Sequence, residues 1–337
     1  MEAVSASKSG AFREGKCSPL HATSEVGRLP KTLQSGNVKY MSRFIFAALG
    51  SLTIAGAAAA QQVPGRDLLE FPVGLLGEAA PLSRLMPGGL WNPATAALSP
   101  DRRAAVGFAG LISPQEQGVT LNFLGGAYRF RRDLTASLSF VSGSVNDILK
   151  TETDPTTLGG EIPYGTTLLS AGLAGTRHGV TLGFATRYRI GNSDTENRGA
   201  FAFDGGLLVD GIGPVPLRVA ASTFLFTPSS RDREASYFAG ADFPVYRHDS
   251  TMVLRIGESI SHTEERGRET YSFATARYHQ IDLSGGVSRI SEFGNATNRW
   301  RLGCGVHYAS YTVAIGRDDG AAGLGGTYQF LFKRVIP

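Results

Sequence analysis

From Ala104 to the end of the chain, apolar residues alternate with small or polar ones in runs of ten residues or more. A period of two places one set of side chains on each face of an extended strand. Val180, Leu182, Phe184, Tyr188 and Ile190 share one phase, opposed by Thr181, Gly183, Arg187 and Arg189. Trp300, Leu302, Cys304, Val306 and Tyr308 repeat the pattern against Arg299, Arg301, Gly303, Gly305 and His307. Such segments predict strands over 104–112, 117–130, 133–143, 164–177, 180–191, 198–210, 216–227 and 235–246. Six more follow over 250–263, 268–280, 281–291, 297–309, 310–317 and 322–333.

The connections alternate too. Short ones are expected at 131–132, 177–179, 211–214, 246–250, 279–280 and 309, and longer polar ones at 144–163, 192–197, 228–234, 264–267 and 292–296. About fourteen long strands, with short turns at one rim and longer loops at the other, predict an all-β transmembrane antiparallel barrel over 104–337. Lipid cannot satisfy open backbone groups, so a sheet that crosses a membrane must close on itself. Tyr128, Phe130, Tyr188, Tyr246, Tyr278, Tyr308, Tyr311, Phe330 and Phe332 are expected near the short-turn rim as an interfacial girdle. A soluble β-sandwich or β-helix is the competing architecture. Its strands would be shorter and its outer face polar, whereas the small, glycine-rich face here suits a lumen. The chain has 43 glycines.

Upstream, Lys39 and Arg43 flank Met41 and precede the apolar run Phe44–Ala60, which ends in small residues. This pattern reads as a secretory signal peptide cleaved near Ala60, with Met41 as the start and 1–40 as an upstream extension. Residues 1–60 hold seven of the 33 basic and three of the 29 acidic side chains, so 61–337 is neutral. The positive charge therefore belongs to the leader, and nucleic-acid binding loses its electrostatic basis. Cleavage would leave Cys304 as the single cysteine, without an internal disulfide. The outer membrane of a diderm bacterium is the expected location, with its lipid and its barrel-assembly machinery as partners.

Between leader and barrel lies Gly88-Gly-Leu-Trp-Asn-Pro-Ala-Thr-Ala-Ala-Leu-Ser-Pro100. Asn92 is a good N-cap, Pro93 suits the first helical position, and Ser99-Pro100 forms a stop. A short helix over Trp91–Leu98 follows. Trp91, Asn92, Pro93 and Ala94, ahead of a fourteen-strand barrel, resemble the FadL-type and PorV/PorQ-like outer-membrane family. In that family an Asn-Pro-Ala segment belongs to an N-terminal hatch inside the barrel. Thr95 stands where a glycine commonly follows, and the family's alanine-rich lead-in with its acidic pair is absent. The resemblance implies a hatch over 61–103 and passive or gated passage of a small hydrophobic solute. It equally admits a plugged structural barrel that scaffolds secretion-complex or surface-attachment partners, as PorV-like members do.

Inward-phase charges supply the candidate lumen lining: Arg187, Arg189, Arg218, Arg255, Arg299 and Arg301, with Asp204, Asp242 and Asp282 as possible partners. They could order water and select a solute, or brace the wall and hold the hatch. Glu258 falls in the apolar phase, which predicts a bulge in its strand or a place near a rim. No pair of histidines has metal-ligand spacing, and no G-x-S-x-G elbow occurs. Adjacent Ser261 and His262 point to opposite faces of a strand. No catalytic residue, metal or cofactor is expected. The terminal aromatic strand resembles the signal that barrel-assembly machinery reads, with Arg334–Pro337 overrunning it.

Overall fold

The computed structural model describes residues 63–114, 118–146, 148–151, 158–194, 196–212, 215–227, 235–249, 251–263, 267–292, 295–319 and 326–337. The leader, with Met41 and Ala60, lies outside the described residues. In chain order the strands are β1 (Ala104–Ile112), β2 (Val119–Arg131), β3 (Leu134–Val145), β4 (Leu149–Thr151), β5 (Leu158–Glu161), β6 (Tyr164–Arg177), β7 (Val180–Ser193) and β8 (Glu196–Ile212). They continue as β9 (Val215–Phe224), β10 (Ser236–His248), β11 (Met252–Thr263), β12 (Gly267–Tyr278), β13 (Ile281–Glu292), β14 (Asn295–Tyr308), β15 (Tyr311–Asp318) and β16 (Thr327–Ile336). Fourteen of them close into one antiparallel barrel, in which β3 pairs with β6 and β16 returns to β1. The remaining two, β4 and β5, form a small separate hairpin between β3 and β6.

The alternation of hydropathy becomes an alternation of burial. In β7 Thr181, Ala185, Arg187 and Arg189 are buried, while Val180, Leu182, Tyr188 and Ile190 are exposed. Strand β7 is therefore apolar outside and polar inside, the inverse of a strand in a water-soluble sheet. At the β6–β7 hairpin His178 and Gly179 have φ of 50° and 80°. Two consecutive left-handed residues match the twist of the flanking strands, and glycine occupies the second without steric cost.

Several expectations need correction. The connection expected over 192–197 is mostly strand, because Ser193 pairs with Glu196. Arg334–Ile336 do not overrun the last strand: Arg334, Val335 and Ile336 pair with Val106, Ala105 and Ala104. Tyr188 lies away from the short-turn rim, against Phe201 at 4.7 Å between ring centroids. Phe330 pairs with Gly110 and Phe332 with Phe108, within the closing seam. Tyr128, Phe130, Tyr246, Tyr278, Tyr308 and Tyr311 are exposed at the short-turn rim as expected. Glu258 sits in neither a bulge nor a rim. Its strand runs in unbroken register with β12, and the irregularity lies on β10 between Pro244 and Tyr246. Glu258 thus faces outward midway along β11, where it accepts a hydrogen bond from Ser272 Oγ at 3.3 Å.

Candidate functional site

Residues 63–103 carry almost no regular structure, only a 3-10 turn at Asp67–Glu70 and another at Pro93–Ala96. Their apolar side chains are nevertheless buried: Leu68, Leu69, Val73, Leu75, Leu76, Leu90 and Trp91 share a core with the inward residues Leu111, Leu121, Phe123, Leu168 and Leu331. The wall reaches this segment from nearly every side. Arg189 donates to Val63 O at 3.0 Å, Ser222 to Trp91 O at 2.8 Å, and Tyr271 to Gly77 O at 2.6 Å. Ser284 and Lys333 donate to Leu76 O and Arg84 O, and Gly74 N donates to Gln329 at 3.2 Å. The segment therefore fills the lumen.

The expected helix Trp91–Leu98 is shorter in fact, four residues of 3-10 helix. Asn92 explains both its start and its brevity. Oδ1 accepts from Ala94 N at 2.9 Å, and Nδ2 donates to Pro81 O at 2.8 Å and to the wall carbonyl of Leu207 at 3.2 Å. A side chain tied to three backbones fixes the turn against β8. By Ala97 the chain is extended again, with ψ of 126°. Pro93 and Ala94 are buried, and Ala94 lies against glycines of the wall. A Cβ on Gly206 would come within 2.0 Å of Asn92 Oδ1, and one on Gly303 within 1.8 Å of Leu76 O. Inward glycine is the seat of the segment rather than empty lumen. Trp91 packs on Phe224 and Phe238, with centroids 5.3 and 6.0 Å apart.

The charged residues gather into four groups. Arg187 pairs with Asp204, both side chains wholly buried. Its guanidinium also donates to Leu90 O and stacks over Phe224 at 4.8 Å. Arg189 joins this end through Val63 O and through Pro64 O at 3.3 Å. Arg218 and Arg255 converge from opposite sides on the buried carboxylate of Asp242. Asp282 accepts from Arg277 at 2.7 and 2.9 Å and pairs with His307. Arg301 bridges Asp318 and Glu269, each at 2.7 Å. Arg299 is half-buried on the inward face of β14, opposite Ser288.

Sequence reading missed Arg277, Glu269, Asp318, Lys333 and Glu78. Glu269 and Asp318 stand near strand ends, where polar residues look like loop. Glu78 belongs to a segment without periodicity. It is half-buried in the lumen, and burial raises its carboxyl above the ordinary 4.5 despite a hydrogen bond from Ser83 and the nearby charges of Arg218 and Lys333. Among the described residues no three His, Cys, Asp or Glu side chains cluster so as to hold a metal ion.

The barrel fold has counterparts among solved structures. The Pseudomonas putida toluene transporter TodX aligns with a TM-score of 0.53 at 9% identity, covering 82% of this chain and 97% of that one. The Ralstonia pickettii toluene transporter TbuX gives 0.50 at 9% identity, over 78% and 97% of the two chains. A Pseudomonas aeruginosa FadL homologue gives 0.46 at 12%, over 82% and 98%. With the first two the chain shares the fold. No protein-family model and no curated protein sequence matches it.

Proposed function

We propose that the protein is a bacterial outer-membrane conduit that its own residues 63–103 close, and that a small solute with an apolar body passes when this plug shifts. The observation that carries the reading is the way the plug is fastened. It adds no strand to the barrel, which closes through its own fourteen strands. Side-chain hydrogen bonds to plug backbone hold it, from Arg187, Arg189, Ser222, Tyr271, Ser284 and Lys333, together with the apolar core it shares with the wall. The neutral bonds contribute about 0.5–1.5 kcal/mol each and those from the charged donors about 1.5–3, and none belongs to the strand ladder, so the plug can move without opening the wall. The outward apolar face, including Trp300, Leu302, Ile315 and Leu138, supports a membrane setting. The likeness in fold to two barrels described as toluene transporters supports an apolar solute.

The test is solute flux through the purified full chain in liposomes. Asn92→Ala removes the amide that ties plug to plug and plug to wall, and flux should rise several-fold over the unaltered protein. A barrel that stays closed to every solute in both forms, while co-purifying with surface proteins, would instead establish the scaffold.

A further inference from the structure

A cavity of about 260 Å³ lies between the plug and the short-turn end of the wall. Leu76, Glu78 and Leu85 line it from the plug, and Arg218, Arg255, Arg277 and His307 from the wall. The three arginines are only partly spent on the protein. Arg218 uses Nε and Nη2 on Asp242, Arg255 uses Nε and Nη2 on Asp242 and Pro216 O, and Arg277 uses Nε and Nη2 on Asp282. Nη1 of each has no protein acceptor among the described residues, and none of the three is sealed from solvent. Around the chamber four cations, Arg218, Arg255, Arg277 and Lys333, meet three carboxylates, Asp242, Asp282 and Glu78. Glu78 forms no ion pair among the described residues, although Arg218 and Lys333 act on it as favourable charges.

We propose that this chamber binds a small organic monocarboxylate, whose oxygens accept from the open Nη1 groups of Arg218, Arg255 and Arg277 while its body rests on Leu76 and Leu85. A guanidinium presents planar donors that match a carboxylate, and a charged acceptor strengthens each bond. The excess of one positive charge suits a monoanion. The volume is below the roughly 300–1,000 Å³ of pockets for drug-sized ligands, so the ligand is of one-ring size. Glu78 projects a carboxylate into the same field and opposes the ligand by like charge.

The inference concerns binding and stands apart from flux, so each can fail without the other. The experiment is calorimetric titration of the detergent-solubilised full chain, at low salt, with benzoate and with benzamide, its neutral counterpart of the same shape. Benzoate should bind at least about tenfold more tightly than benzamide, as charged hydrogen bonds require. Arg277→Gln should weaken benzoate about tenfold and leave benzamide unchanged, and Glu78→Gln should tighten benzoate. Arg277 is the wall variant of choice because its side chain is 60% exposed and its partner Asp282 keeps the contact with His307. If that variant does not fold, the ligand contrast and Glu78→Gln still decide. Equal binding of the two ligands, no benzoate binding to either the unaltered chain or Glu78→Gln, or indifference to both substitutions overturns the proposal.

Discussion

Arg187 and Asp204 meet diagonally across the β7–β8 ladder with neither side chain exposed, and the arginine also donates to the plug carbonyl of Leu90. A buried pair of this kind gains little over apolar packing, but breaking it leaves one charge uncompensated. Arg187→Met should therefore cost about 3–5 kcal/mol, read as an earlier denaturant midpoint in detergent, and Arg187→Met with Asp204→Leu should recover most of it. Gly303 tests the seat of the plug from the other side. Any side chain there meets Leu76 O, which Ser284 also holds. Gly303→Ala should unseat the plug near Leu76 and leave the ladder from β13 to β15 intact. Limited proteolysis should then cut within 74–86, while the unboiled protein keeps its compact migration on a gel.

At the scale of strands, the seam between β1 and β16 carries the closure, and it reaches the last residues of β16. Ala104, Ala105 and Val106 account for three of its nine register pairs through Ile336, Val335 and Arg334. Arg103 N adds a bond to Ile336 O at 2.9 Å. Ending the chain at Lys333 should leave the start of β1 unpaired on its β16 side and lower the assembled, heat-modifiable fraction. Alternation made the strands legible from residues alone, because in a barrel wall one period decides both faces. It failed where hydropathy stops and hydrogen bonding continues. Ser193 and Glu196 are solvated and polar, yet they still pair. Arg334 looks like a tail and is a rung of the seam. The plug was legible only through Trp91–Ala94, since a chain held by wall side chains needs no period of its own. For the same reason Glu78 and the arginines it faces could not be associated beforehand. Their meeting depends on where an irregular segment lies inside the wall.

For the whole molecule, strand ladders hold the barrel while wall side chains and a shared apolar core hold the plug, and the raised carboxyl of Glu78 predicts that seating depends on pH. Its carboxyl is raised by burial and by Asp282, against the lowering effects of Ser83, Arg218 and Lys333. A released plug returns Glu78 to water and to its ordinary value of 4.5. Below that value both states are protonated, and the seated plug keeps its full stability. As pH rises through the raised value, the released plug sheds its proton first and gains relative to the seated one. Seating should therefore weaken from acid to neutral pH. The chain has two tryptophans, Trp91 in the plug and Trp300 on the outer face. In a Trp300→Phe background, acrylamide quenching reports Trp91 alone. Quenching should increase with pH above about 4.5, and Glu78→Gln should hold it at its acid-side level throughout. Quenching that falls with pH, or that rises equally in Glu78→Gln, would show that the plug is fastened independently of this carboxyl. Its seat would then be set by the Asn92 and Arg187 contacts at the other end.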